Sequence, residues 1–467
     1  MKYAFKSLIS ILATLLLVFS LNGTALAAPL YETVSPDTED DAASGTPEDE
    51  SPLLDESGWP IPPEIDCGSA VMLEVNTEAV LFSKSPDRRR YPASITKLLT
   101  CLLALENCSL NETVTFSQAA VDIEEGASNI GAVAGEEMSM KDVLYALMLP
   151  SGNECANAVA EHVAGSVENF AEMMNARAAE LGCTDSHFTN PHGLYDENHY
   201  STAADIAIIA KTAFNNSAFC EIISHSSYTI SPTNKSDART VENTHAMIIP
   251  NSSYYYDAVV GGKTGYLPES GRCLVTLAKQ NGLTLVVVCL FSPTYSGVFP
   301  DTQELLDYAF NGFSLNNISE SETRFSFSCE ESKIVLDSTT QVLLPSSLTT
   351  DDLDSSIAFT YEMDRKEFDK ASAEAGILTR DGRHLYAVID YSYRGNYLGH
   401  INVLIDDNLE ITQSAFVNIH YLNVWHFVAG GGFVIFFVAV VSIARRIRAS
   451  SNKIKRRRPR VTNYSGR

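Results

Sequence analysis

Ser94-Ile95-Thr96-Lys97 follows Tyr91-Pro92-Ala93 and opens the apolar run Leu98-Leu99-Thr100-Cys101-Leu102-Leu103-Ala104-Leu105. The run reads as a buried helix, and Pro92 suits its entrance. Residues three apart share one helical face, so Lys97 can reach the hydroxyl of Ser94. A serine is a poor nucleophile until a base takes its proton, and a neutral lysine can be that base. In outline this is a serine acyl-transfer site. The four residues alone carry little weight, because a chain of 467 residues holds roughly two Ser-x-x-Lys matches at average composition. The second here is Ser450-Ser451-Asn452-Lys453.

Two further pieces give the first match its context. Ser151-Gly152-Asn153 lies 57 residues on, and Lys263-Thr264-Gly265 lies 112 beyond that. Lys-Thr-Gly occurs once, where chance gives roughly 0.1. The order Ser-x-x-Lys, Ser-x-Asn, Lys-Thr-Gly is shared by penicillin-binding proteins and class A β-lactamases. The flanks Pro191-His192-Gly193-Leu194, His199-Tyr200-Ser201-Thr202-Ala203-Ala204-Asp205 and Gly262-Lys263-Thr264-Gly265-Tyr266 resemble the low-molecular-mass D-alanyl-D-alanine carboxypeptidases. The resemblance is strong over residues 66–316 and weaker to about 412.

The resemblance implies a serine peptidase that removes the terminal D-alanine from peptidoglycan stem pentapeptides and is acylated by β-lactams. Ser94 is then the nucleophile, Lys97 its base, and Ser151 a proton relay to the departing amine. Asn153 holds Lys97 and the substrate amide. Lys263 and Thr264 receive the terminal carboxylate, and Gly265 leaves room for the peptide backbone. The N–H groups of Ser94 and Tyr266 are the implied oxyanion donors. Burial and the charge of Lys263 should both hold Lys97 below its usual pKa. Two departures stand out: Glu154-Cys155 replaces the usual acid and alanine, and Asn243-Thr244-His245 replaces Asn-Thr-Asn.

Residues 1–27 read as a secretory signal, with Lys2 and Lys6 before an apolar stretch and Ala25-Leu26-Ala27 as a cleavage site. Residues 28–65 are acidic and poor in apolar side chains, which reads as a disordered linker. Near the other end Val424 to Ala444 is uncharged over about 20 residues, enough to cross a bilayer. The expected span is 423–444, with Tyr421, Trp425 and His426 at one edge. The tail 445–467 carries ten Lys/Arg and no acid, so it is expected in the cytoplasm, with the catalytic part outside a bacterial membrane. Removing those ten charges from the net −25 leaves −35 on the rest, which argues against nucleic acid as a partner.

Between the ends, strands are expected at Ala70–Val75 and Ala79–Phe82, and at Cys273–Lys279 and Thr284–Phe291 joined by Asn281-Gly282. Helices are expected from Thr96 to Asn107, Met140 to Ala164, Val167 to Leu181, Ala203 to Phe214 and Thr302 to Phe310. The expected fold is α+β: a penicillin-binding/β-lactamase-like catalytic domain at 66–316, a sheet with a helical cluster, then a small β-rich domain at 317–412 and one C-terminal transmembrane helix. Strand-like stretches in the smaller part are Phe325–Ser328, Ile334–Leu336, His384–Tyr391 and Tyr397–Leu404, with a turn at Arg380-Asp381-Gly382-Arg383.

Nine cysteines leave at least one unpaired within the chain, and none forms a Cys-x-x-Cys zinc pattern. His187, His192 and His199 with Asp185, Asp196 and Asp205 cluster in sequence, but no His-Glu-x-x-His spacing is present. Neither a metal nor a cofactor is expected. A β-lactamase is disfavoured, because Ser-Gly-Asn replaces Ser-Asp-Asn and no Glu-x-x-Leu-Asn segment follows. A D,D-endopeptidase on cross-links would use the same residues and stays open; an inactive peptidoglycan-binding protein is disfavoured by the complete constellation.

Overall fold

The computed structural model describes residues 53–294, 297–325, 334–359 and 384–405. The expected signal segment, the membrane span, the basic tail and the turn at 380–383 lie outside them. Among the described residues no single helix is long and apolar enough to cross a membrane. In chain order the elements are β1 (Ser69–Glu74), β2 (Val80–Lys84), a 3-10 turn (Ala93–Thr96), α1 (Lys97–Asn107), β3 (Thr113–Thr115), α2 (Gln118–Val121), β4 (Glu137–Ser139), α3 (Met140–Met148), α4 (Asn153–Ala164), α5 (Val167–Glu180), α6 (Ala203–Phe214) and α7 (Ser217–Ile223). Then come β5 (Ser227–Ile230), β6 (Arg239–Glu242), β7 (Val259–Leu267), β8 (Gly271–Gln280), β9 (Leu283–Ser292), α8 (Val298–Gly312), β10 (Phe313–Asn316), β11 (Ile334–Leu336), β12 (Val342–Pro345), β13 (Asp354–Phe359), β14 (His384–Tyr393) and β15 (Asn396–Ile405).

The main sheet is antiparallel, in the order β2-β1-β9-β8-β7. Its β8–β9 hairpin closes through Asn281 (φ 51°) and Gly282 (φ 85°), the two left-handed residues a tight primed turn needs. Strand alternation sends the two faces to two cores. Val286, Val288 and Leu290 meet the helical cluster, while Leu285, Val287 and Cys289 meet α8. Both faces are therefore covered, and β9 reads as a nearly continuous apolar run.

One expected helix is two. The apolar periodicity from Met140 runs on to Ala164, but Leu149-Pro150-Ser151-Gly152 separates α3 from α4. Pro150 has no N–H to continue a helical ladder, and Ser151 turns the chain at φ 70°. A second difference lies at the N-terminal edge. Within residues 53–65, expected as the end of the linker, one side chain is packed firmly: Trp59 stacks on Tyr393 at 6.1 Å, meets Phe313 edge-on at 5.3 Å, and donates to the Tyr308 hydroxyl at 3.2 Å. An indole and the buried Ile65 give this stretch the apolar anchors that the acidic residues before it lack.

A second sheet of six strands follows α8, ordered β10-β12-β15-β14-β13 with β11 on β15. It starts at Phe313, inside the stretch expected to close the first part at 316. β12 and β13 were not anticipated, and Phe325 carries no strand. Phe313, Val342, Ile389 and Tyr391 join the same apolar cluster as Met72, Leu274 and Leu306, so the second sheet shares the core beneath α8.

Candidate active site

The 3-10 turn brings Ser94 and Lys97 to the mouth of α1. Lys97 is fully buried, and its Nζ lies 2.9 Å from Ser94 Oγ, 2.8 Å from Asn153 Oδ1 and 2.7 Å from the His192 carbonyl. Asn153 Oδ1 and the carbonyl can only accept. A neutral amine therefore spends both N–H groups on them and turns its lone pair to the Ser94 hydroxyl. Burial holds the Lys97 ammonium well below the usual lysine range, and the nearby charge of Lys263 lowers it further. That is the electrostatic state a base at this position needs.

The break between α3 and α4 supplies the second wall. Ser151 sits in the left-handed region at φ 70°, a conformation that costs a non-glycine residue about 1–3 kcal/mol. Its Oγ is buried with no hydrogen-bond partner among the described residues. Asn153 opens α4, and both its backbone N–H and its Nδ2 donate to Ser128 O, at 2.9 and 3.0 Å. One Nδ2 proton remains for a substrate carbonyl. Next to it the buried carboxylate of Glu154 accepts the Ile130 N–H at 2.7 Å, which straps the loop at 124–130 to the site. In the sequence Glu154 stands out only as part of the Glu154-Cys155 departure from the family pattern.

The third wall is β7, the edge strand. A Cβ on Gly265 would stand 3.2 Å from Ser94 N and 3.1 Å from Pro92 O, so glycine lets this strand approach the nucleophile. Thr264 Oγ1 shares a 2.6 Å hydrogen bond with Thr244 Oγ1, the middle residue of the Asn243-Thr244-His245 segment that the sequence marks only as a departure from the family pattern. Lys263 is buried rather than presented to solvent; its Nζ donates to the Thr264 carbonyl at 3.0 Å, and burial lowers its pKa to about 7. Tyr266 is exposed, with the Arg272 guanidinium 4.1 Å over its ring.

A cleft of about 760 Å³ joins these walls. Of the eight residues singled out in the sequence, Ser94, Ser151, Asn153, Thr264, Gly265 and Tyr266 line it, whereas Lys97 and Lys263 act from beneath. Glu124, Glu125, Leu194, Tyr254 and Phe299 are among the other residues that line it.

The histidine-rich loop serves geometry. His199 accepts the Thr189 N–H at Nδ1 (3.1 Å) and so donates from Nε2 to Thr96 Oγ1 (2.8 Å). The Pro191 carbonyl accepts from Thr100 Oγ1 at 2.6 Å, and Gly193 (φ 85°) packs so tightly on Ala93 that a Cβ would stand 1.9 Å from its carbonyl oxygen. These contacts deliver the His192 carbonyl to Lys97. Burial lowers His192 to a pKa of about 3 and His199 to about 4, so both are neutral at pH 7. The other acids and His187 are engaged separately: Asp185 with Arg89, Asp196 with the Asn198 N–H, Asp205 with Ser186, and His187 with the Asn198 carbonyl. The eight described cysteines are all free.

A family model described as D-alanyl-D-alanine carboxypeptidase matches residues 58–294, which contain all eight of the residues singled out in the sequence. Among relatives, DacF of Bacillus subtilis is 34% identical over 251 residues, covering 52% of this chain and 62% of its own. DacA of Haemophilus influenzae is 30% identical over 263 residues, with coverage of 54% and 64%. This chain thus spans less than two thirds of either relative. The D-alanyl-D-alanine carboxypeptidase of Streptomyces sp. K15 is 30% identical and is covered over 88% of its length. The solved structure of the Streptomyces K15 DD-transpeptidase superposes with a TM-score of 0.50 at 30% identity, covering 54% of this chain and 99% of that one. A Mycobacterium tuberculosis D-alanyl-D-alanine carboxypeptidase gives 0.50 at 27% identity, covering 55% and 96%. Because the family match takes in half of the residues and these relatives align over the same part, the chain belongs to the D-alanyl-D-alanine carboxypeptidase family of serine peptidases (peptidase S11).

Proposed function

We propose that this protein is a serine D,D-carboxypeptidase acting on peptidoglycan stem pentapeptides. The observation that carries the reading is the buried Lys97 amine, directed at Ser94 Oγ by two other acceptors. Lys97 takes the Ser94 proton as Oγ attacks the carbonyl between the two D-alanines. The oxyanion falls to the N–H groups of Ser94 and Tyr266, donors of a kind typically worth about 3–4 kcal/mol each. The proton passes through the unpartnered Ser151 hydroxyl to the departing D-alanine amine. Water then releases the acyl group by the same base. Thr264 meets the terminal carboxylate, while Lys263 contributes its charge from below and gains a proton as that carboxylate arrives.

The extracytoplasmic, membrane-anchored setting is part of the proposal. It is supported by the signal-like residues 1–27, the uncharged stretch 424–444 and the ten-cation tail. On this reading residues 317–412 lift the cleft from the membrane. The test is incubation of the purified chain with a muropeptide pentapeptide and with cross-linked dimers. Release of free D-alanine from the first is expected; cleavage of dimers alone would replace the reading with an endopeptidase, and transfer to an added amine without release would replace it with a transpeptidase.

A further inference from the structure

We propose a zinc-binding site formed by Cys108, Glu112 and His162, far along the helices from the catalytic cleft. One donor atom from each residue lies within 4.8 Å of the other two. Ligands about 2.0–2.3 Å from a tetrahedral zinc stand roughly 3.3–3.8 Å apart, so small side-chain shifts complete the geometry, with water as fourth ligand. Thiolate, imidazole and carboxylate together suit a borderline-soft divalent cation and suit magnesium or calcium poorly.

The backbone holds the three donors in place independently of any ion. Cys108 is the C-cap of α1, its N–H bonded to Ala104 O at 2.9 Å. Glu112 lies in a turn closed by its N–H on Ser109 O at 3.1 Å and anchored by Met140 N–H on its own carbonyl at 2.8 Å. His162 stands in the last turn of α4, which ends at Gly165 in the left-handed conformation. A second observation points to a cation: the C-terminal ends of two helices, of 11 and 12 residues, converge here. Each carries partial negative charge, which favours a positive ion. The Cys108 thiol is free and half-buried, and Glu112 Oε2 already lies 2.9 Å from His162 Nε2. On binding, the thiol proton leaves to solvent, the carboxylate–imidazole hydrogen bond opens, and no electron moves.

The consequence reaches the cleft. Lys97 is the first residue of α1 and Asn153 the first of α4, so an ion at the far ends would clamp together the two helices that carry the base and its partner. The inference does not depend on the acyl-transfer reading.

The experiment uses the full chain freed of metal by chelation, with Zn2+ alone as the probe. Alkylation by iodoacetamide is mapped by peptide mass spectrometry at Cys108 and, as an internal control, at the partly exposed Cys220. At free Zn2+ ten times Kd, labelling of Cys108 should fall about tenfold while Cys220 is unchanged. His162→Gln and Glu112→Gln should each weaken the protection, and both variants should melt as cooperatively as the wild type in chelator. Thermal midpoints should rise with Zn2+ in the wild type alone. Unchanged Cys108 labelling with Zn2+, or equal protection in both variants, would overturn the site.

Discussion

Lys97 has three partners in hydrogen-bonding range, and two of them can only accept, so a neutral amine is the form that turns its lone pair to Ser94. Replacing Lys97 with arginine installs a permanent cation there, and acylation should fall by roughly 100- to 10,000-fold. Lys263 sits lower and contributes field rather than contact. Its charge is one of the causes that lower Lys97, so Lys263→Gln should move the acidic limb of the acylation–pH profile to higher pH, whereas Lys263→Arg should keep partial activity. An unmoved limb in Lys263→Gln would remove the coupling between the two lysines. The spacing of Ser94 and Lys97 was legible because a side-chain pair on one helical face is a local property. The carbonyl of His192 was not, because a backbone acceptor delivered by a folded loop leaves no residue type to read.

The element that differed most from expectation is the break between α3 and α4. Its apolar periodicity hides the break, although Pro150 and the Ser151-Gly152 pair mark it locally; Ser151 takes the left-handed region, which a serine does not prefer. Glycine adopts that conformation without strain, so Ser151→Gly should raise unfolding free energy by about 1 kcal/mol while lowering turnover, a split visible in paired urea melts and D-alanine release assays. A variant that lost both would assign Ser151 a structural role. By contrast, Asn281-Gly282 announced its hairpin, since the turn chemistry lies wholly within two residues. β12 and β13 were missed because they are short strands whose burial is set by partners far away in sequence. On the α8 face of the main sheet, Leu274→Ala should cost about 2–5 kcal/mol in the same melts, because the side chain points from β8 into the core it shares with α8 and is fully buried there.

Across the whole molecule, neutral buried histidines set the response to acid. His199 and His245 are at most 2% exposed and, chiefly through burial, their pKa values fall to about 4 and about 3. The unfolded chain binds protons at these residues near pH 6.5 and the folded chain does not. Stability is therefore full above that value and should fall as pH drops toward 4, by about 1.4 kcal/mol per unit for each histidine. Urea midpoints at pH 7, 6 and 5 test the slope, and His245→Gln should flatten part of it. The same packed core explains why Ser94, Ser151 and Thr264, drawn from three distant stretches, reach one cleft: α1, the α3–α4 break and β7 are walls of one body. The account rests most directly on Ser94 as the nucleophile and Lys97 as its base. Fluorescent penicillin applied to the purified full chain should label the wild type covalently at Ser94, leave Ser94→Ala dark, and label Lys97→Arg at least about 100-fold more slowly. Labelling of Ser94→Ala at the wild-type rate, or of Lys97→Arg without delay, would contradict it.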